Sequence, residues 1–297
     1  MILVAALAAF ELLAHPLILA AIPNDASWIE AAELIRAELG PHDRVVAAPA
    51  WIDPIVRQHL GDLLSLRAVA PPDDAGFERV WEVSIRGAST RDDAPALDER
   101  FGDVRVRMWL LDAPRVVYDF VEHLEEAEVE LATNAGARSC PWVEAKPGRG
   151  GLETGPMRPS ARFQCDRRRP WLYVGATVLA DLELQPRRCI WQHPAGEQPL
   201  RAIFSDVPLG DALVVHGGID YQVARERQYA PVTLRVWIDD TLAGELVHRD
   251  GDGWSELRID TTGRADETAT IRFETTTPKP TARLFCYSAS TQASSDD

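Results

Sequence analysis

Along the chain the hydrophobic positions change their period twice. Residues 1–23, MILVAALAAFELLAHPLILAAIP, are almost continuously apolar, and Glu11 and His15 are their only ionisable side chains. About 20 such residues wound as a helix cross the ~30 Å hydrocarbon core of a bilayer, so the pattern predicts a transmembrane segment. A cleaved signal peptide fits less well. No basic residue precedes the apolar run, and a cut after Ala20 or Ala21 leaves Ile18 or Leu19, neither of them small, three places before it. A buried core helix or a partner-facing hairpin is the other alternative, because Glu11 and His15–Pro16 are costly against lipid and tolerated against other helices. These features suggest the last helix of a larger membrane assembly, with further helices upstream or a membrane-embedded partner. The first Lys or Arg is Arg36, so basic flanks do not orient the span.

From residue 24 to about 122 the period alternates between helix and strand. Asn24 or Asp25 can cap a helix that carries Trp28, Ile29, Ala32, Leu34, Ile35 and Leu39 and stops at Gly40–Pro41. A short strand at 44–48 precedes a second helix over 49–64, with Pro54 in its first turn. Segments 79–85 and 104–110 alternate apolar and polar residues as strands do. Helix, strand, helix, strand predicts a small α/β layered domain with right-handed crossovers. Residues 123–184 carry less pattern. Strand-like stretches at 116–121 and 127–132 flank His123, and 134–169 is rich in Gly, Pro and Arg, an irregular connecting region of the kind that is usually functional or tied down.

Residues 185–290 read as a β-sandwich. Together with Trp171–Leu179 they supply nine strand-like stretches at nearly even spacing, ending with Thr281–Ser288, and Asp239–Asp240 and Arg249–Gly253 read as hairpin turns. Residues 291–297 read as a disordered tail. The predicted fold class is therefore α+β: an N-terminal membrane helix, a small α/β domain and a C-terminal antiparallel, jelly-roll-like sandwich.

Composition changes this picture in two places. The net charge of −15 over 297 residues repels phosphate backbones and no basic patch reverses it, so nucleic acid is excluded as a partner. The four cysteines show neither CxxC spacing nor a Cys/His cluster, so the even count suggests disulfides in an oxidising compartment rather than zinc; ordinary buried thiols are the alternative. Spacing leaves three pairings open. In a jelly-roll-like sandwich the first and last strands lie side by side, which favours Cys189–Cys286 and leaves Cys140–Cys165 as the second pair. Closing the interval from Cys140 to Cys165 removes about 3 kcal/mol of unfolded-state entropy on the chain-entropy account.

Catalytic motifs are missing. The chain has no GxGxxG, no GxSxG, and no Ser/His/Asp spacing that supports a nucleophile. The polar loop from Gly87 to Pro95 follows a strand, where α/β sheets often bind ligands, and is more simply a connector. Asp53 and His59 could face each other on one short helix, although such pairs are mostly a solvated face. Asp250 and Asp252 resemble the start of a calcium loop without its full pattern, so a hairpin turn is favoured and no metal or cofactor is expected.

Several runs carry a family resemblance: Arg188-Cys189-Ile190-Trp191-Gln192-His193-Pro194, Phe204-Ser205-Asp206-Val207-Pro208-Leu209-Gly210, the His248–Trp254 turn with Ile259-Asp260-Thr261, and Arg283-Leu284-Phe285-Cys286. They resemble a β-sandwich at the extracytoplasmic end of some bacterial membrane proteins. Ala26-Ser27-Trp28, Asp43-Arg44-Val45-Val46 and Pro49-Ala50-Trp51 are similar to the soluble region after the last membrane helix of multi-pass glycosyltransferases that use lipid-linked sugar donors. Such enzymes keep their catalytic acids between early membrane helices, which this chain lacks, so no catalytic residue is carried over. The resemblance implies a non-catalytic, membrane-tethered, periplasmic or extracellular module that binds or scaffolds carbohydrate or lipid-linked glycan in envelope assembly. Alternatives are the C-terminal part of a glycosyltransferase and a subunit-interface module of an envelope complex. Sandwiches of this type often bind sugar through aromatics and a few charged groups, which points to Trp254, Tyr221, Arg225, Arg227 and His248 as ligand contacts. Against that, Trp254 could plug the sandwich edge, and the two arginines could pair with Glu226.

Overall fold

The computed structural model describes residues 10, 12–15, 23–61, 71–144 and 158–294. Contacts divide the chain into two units, 1–68 with 77–111, and 69–76 with 112–297.

In the N-terminal unit, helix α1 (Asp25–Glu38) starts where the Asn24 carboxamide accepts a hydrogen bond from Ser27 N at 2.8 Å. Strand β1 (Asp43–Ala48) follows, then α2 (Asp53–Leu60), β2 (Arg79–Ile85), β3 (Leu97–Phe101) and β4 (Val104–Leu110). The sheet order is β1-β2-β4-β3. Side chains alternate across a strand, so Trp81, Val83, Ile85, Val104 and Val106 face one way and pack with Trp28, Ile35, Ile52 and Val56 of the helical layer. Asp43 organises the rim of this core. Its buried carboxylate accepts from Arg79 Nε, Trp81 Nε1 and Gly40 N, each at 2.8 Å. Burial raises its pKa, but these hydrogen bonds outweigh burial and hold the group below the ordinary carboxylate value.

The opposite face is polar. Glu82, fully buried, meets Arg107 Nη1 at 2.7 Å and accepts from Thr90 N and Thr90 Oγ1 at 2.5 and 2.7 Å, while Arg107 also donates to Ala88 O and Trp109 Nε1 to Asp93 O. The Gly87–Pro95 loop is thus drawn down over half of this face by one buried ion pair.

The C-terminal unit contains β5 (Arg115–Asp119), β6 (Glu128–Thr133), β7 (Gly136–Ser139), β8 (Trp142–Glu144), β9 (Ala161–Gln164), β10 (Tyr173–Ala180), β11 (Pro186–Gln192), β12 (Leu200–Pro208), β13 (Ala212–Ile219), the short helix α3 (Tyr221–Ala224), β14 (Val232–Ile238), β15 (Thr241–His248), β16 (Ser255–Asp260), β17 (Thr268–Thr276) and β18 (Phe285–Ala293). One sheet runs β16-β13-β18-β11-β10-β9-β8 with β5 also on β18, and the other runs β15-β14-β17-β12-β6-β7. Inward side chains of both sheets, among them Val215, Tyr287, Phe204, Phe273 and Leu234, form one core, which makes the unit a sandwich. Phe120 lies edge-on to both Phe204 and Phe273 at 4.9 and 5.0 Å. Disulfides join Cys140 to Cys165 and Cys189 to Cys286. The second follows from the pairing of β11 with β18, where Trp191 stands opposite Cys286.

The expected fold class is corrected by these elements. The described chain is mostly β, and the residues between 123 and 184 contribute strands β6 to β10. In the N-terminal unit only β1 and β2 pair in parallel, because β3 and β4 form an antiparallel hairpin at Gly102–Asp103 and β4 runs antiparallel to β2. Repeated right-handed crossovers do not form, and the α/β layered reading fails with them. Among the described residues no helix is long and apolar enough to cross a membrane. Most of the predicted segment 1–23 lies outside the described residues.

Candidate functional site

Three connections meet at one end of the sandwich. The chain leaves β13 through Asp220, whose carboxylate accepts from Gln222 N at 3.0 Å and starts α3; burial raises its pKa. The 225–231 loop then runs beside the β15–β16 turn, held there by Tyr229 N donating to Asp250 Oδ2 at 3.0 Å. The segment before β18 enters alongside, with Asp220 N bonded to Leu284 O at 3.1 Å.

Arg283 forms the floor. Its side chain is fully buried, Nη1 donates to Ala230 O at 2.8 Å and lies 2.9 Å from Asp250 Oδ1, and the guanidinium sits 5.0 Å from the centre of the Tyr229 ring. His248, also buried, places Nδ1 3.3 Å from Ser255 Oγ. Burial, helped by the charge of Arg283, lowers its pKa to about 4 against the opposite pull of Asp252 and Asp250, so the ring is neutral near pH 7. Among the described residues this arrangement gives the Ser255 hydroxyl little activation as a nucleophile. A base with so low a pKa is weak near neutrality, and no carboxylate bonds the other ring nitrogen to orient it.

Hydrogen bonding at this end is unfinished. Arg283 Nη2, His248 Nε2 and Trp254 Nε1 are buried without a hydrogen-bond partner, and Asp250 Oδ1 meets Arg283 at ion-pair distance without hydrogen-bond alignment. Buried polar atoms of this kind cost about 1–3 kcal/mol each when left unmade. Above them, Arg225 and Arg227 are exposed. The Glu226 carboxylate accepts from Tyr229 Oη at 2.9 Å and Gln228 Nε2 at 2.7 Å, and these bonds, helped by the charge of Arg225, hold it below the ordinary carboxylate value. Arg225 lies 5.9 Å from the Tyr221 ring, and Arg227, at φ 54°, stands beside Gly251 of the turn.

The five residues singled out from sequence therefore take different positions. Tyr221, Arg225 and Arg227 lie on α3 and the loop after it, half-buried or exposed, and His248 is buried at the end of β15. Trp254 is a partly buried plug: it covers Gly218 so closely that a Cβ there would come within 2.1 Å of the indole, and it packs by the Cys189–Cys286 disulfide with Arg187 6.0 Å from its ring. Arg283, Asp250 and Tyr229 join the site without having been singled out as ligand contacts. Arg283 sits where a sandwich strand begins and looks like a surface residue; its burial comes from the closing of three distant segments. Asp252 shapes the turn, since its Oδ2 accepts from Arg249 N at 2.7 Å, whereas Asp250 ties the turn to the neighbouring loop by accepting from Tyr229 N. Among the described residues no group of three or more His, Cys, Asp or Glu could hold a metal ion. Asp53 and His59 part company as well. Asp53 bonds Arg57 Nε at 2.6 Å, while the His59 ring stacks on Trp28 at 5.8 Å.

No family model matches the chain, and no curated protein matches it. Solved structures similar to it include the CBM51-2 and INT domains of ZmpB from Clostridium perfringens, at 16% identity over 40% of this chain and 26% of that one, TM-score 0.29. A CBM51 from Clostridium perfringens GH95 in complex with methyl-galactose matches at 13% identity over 40% of this chain and 79% of that one, TM-score 0.28. The secreted serine protease VesC from Vibrio cholerae matches at 11% identity over 71% of this chain and 42% of that one, TM-score 0.26. Thus the chain spans about a quarter of the ZmpB structure, and TM-scores of this size fall short of a shared fold.

Proposed function

We propose that the chain is a carbohydrate-binding protein whose sugar site is the loop end of the sandwich. The observation that carries this reading is the pair of unfinished hydrogen bonds at Arg283 Nη2 and His248 Nε2 on the connections that also carry the exposed Arg225 and Arg227. Sugars supply what such a site lacks, namely closely spaced hydroxyls that donate and accept at once and C–H faces that pack on rings such as Tyr221 and Tyr229. A neutral imidazole, a guanidinium and a carboxylate offer matching donors and acceptors. Two disulfides support an oxidising, extracytoplasmic setting in which glycans are met.

The test is a glycan array on the full chain, followed by calorimetric titration of the best sugar. Arg225→Gln and Arg227→Gln leave the buried floor intact and should each weaken binding about tenfold, the loss expected for one charge-assisted hydrogen bond. A chain that binds no sugar, or variants that bind as well as the parent, would overturn the reading. Trp254→Ala is a poor probe, because it empties the space beside the disulfide.

A further inference from the structure

Among the described residues, the half of the polar face in the N-terminal unit that the Gly87–Pro95 loop leaves open holds a cleft of about 700 Å³ whose lining includes Ser84, Arg86, Asp98, Arg100, Asp103 and Arg105. Register explains the lining. Ser84 of β2 pairs with Arg105 of β4, which pairs with Arg100 of β3, so the three stand in a row across the sheet on the face away from the helices. The volume lies in the range of small-ligand sites.

Charge in this cleft is unbalanced, and in the opposite sense to the chain. Three guanidinia face two carboxylates in a protein of net charge −15. Arg105 is satisfied, since it grips Asp98 with Nε at 2.6 Å and with a second nitrogen, which holds the Asp98 carboxyl below its ordinary pKa. Arg100 is only loosely held: it donates to Gly102 O at 2.8 Å and reaches Asp103 at 3.7 Å with both side chains largely in solvent. Arg86 meets no carboxylate among the described residues. Its guanidinium lies 5.6 Å from the centre of the Trp51 ring, itself 54% exposed.

The backbone sets Arg86 in place at a cost. Arg86 and Gly87 have φ of 56° and 74°, and Ala88 N bonds Ile85 O at 3.1 Å, a tight turn with both central residues left-handed. Glycine or asparagine suits the first of these positions, and an arginine there is strained. A strained, exposed, stacked and unneutralised arginine at the mouth of a cleft is what a site for an anion requires.

We propose that this cleft is a second binding site, separate from the sugar site, for a small polar ligand that carries an oxyanion, held by Arg86 with Arg100. The planar guanidinium fork matches both a carboxylate and a phosphate group. Calorimetric titration of the full chain with sodium glucuronate, inorganic phosphate and glucose tests this and separates the two sources. Binding of glucuronate alone identifies a carboxylated sugar, and binding of phosphate alone a phosphorylated ligand; either supports the site when it weakens with added salt. Arg86→Gln and Arg86→Gly should each weaken the anion about tenfold. The glycine variant suits the turn, so it should keep the parent's unfolding midpoint, and Arg225→Gln should leave anion affinity unchanged. Failure of both anions to bind at about 10 mM, or unchanged affinity in the two Arg86 variants, refutes the proposal without touching the sugar site.

Discussion

His248 and His193 show how burial can outweigh every other influence on the state of a side chain. Each ring has its pKa lowered to about 4, burial being the largest cause, although a ring nitrogen meets Ser255 Oγ at 3.3 Å in His248 and Pro194 O at 2.9 Å in His193. An unfolded histidine titrates near 6.5. Between about pH 6.5 and 4 the unfolded chain therefore binds more protons than the folded one, so stability is full above this window and is lost as pH falls through it. Each ring contributes up to about 1.4 kcal/mol per pH unit there. His248→Gln should accordingly show a smaller drop in thermal midpoint between pH 7 and pH 4.5 than the parent. Equal drops would mean that His248 is not buried in its neutral form. Sequence placed His248 among the ligand contacts but gave no sign of its burial, because a histidine at a strand end reads the same whether a later segment covers it or not. Arg283 was hidden for the same reason. The Asp-Gly-Asp-Gly run beside them was legible as a turn but not as the hairpin it suggested, because β15 and β16 belong to different sheets and the turn carries the chain from one to the other; Asp252 accepts from Arg249 N within the turn, while Asp250 accepts from Tyr229 N of the neighbouring loop.

At the level of elements, strands that carry one buried face were readable from alternation, and strands that carry none were not. Val232–Ile238 is buried and half-buried in strict turn, the alternation that a strand with one core face writes into its sequence. Strand β3, Leu97–Phe101, has charged residues at its three central positions and lies at the sheet edge, where charge discourages pairing with other chains. Missing it turned a hairpin into an imagined crossover. The loop after β2 posed a different problem, since nothing in Gly87–Pro95 says that a glutamate five residues upstream will hold it. Glu82 does so through Thr90 and Arg107, with both members of the ion pair buried. Glu82→Gln leaves the Arg107 charge buried and uncompensated, and breaking such a pair costs about 3–5 kcal/mol. Urea unfolding of the variant should show that loss, and trypsin should cut at Arg91 faster as the loop lifts. A loss below about 1 kcal/mol would mean that Arg107 finds another partner. Replacing both members, Glu82→Leu with Arg107→Met, should recover part of the stability while leaving the loop untethered.

Across the whole molecule the two units rest on different kinds of support. The N-terminal unit depends on a helix-covered sheet and two buried carboxylates, Asp43 and Glu82. All four cysteines lie in the C-terminal unit, in bonds that span sequence separations of 25 and 97 residues. On the chain-entropy account a loop of about 100 residues is worth roughly 4.7 kcal/mol, and the shorter loop somewhat over 3 kcal/mol. The longer bond also fastens β11 to β18 by Trp254, so its loss should loosen the loop end of the sandwich that Arg283 and His248 support, the proposed sugar site. Calorimetry in the presence and absence of reductant should then resolve two transitions, of which only one falls on reduction. Glu82→Gln supplies the assignment, because it should lower the other. Sugar affinity should fall with the reduced transition, whereas anion affinity at Arg86 should not. A single transition that moves with both treatments would show that the units unfold as one, and the support each gives would then be shared along the whole chain.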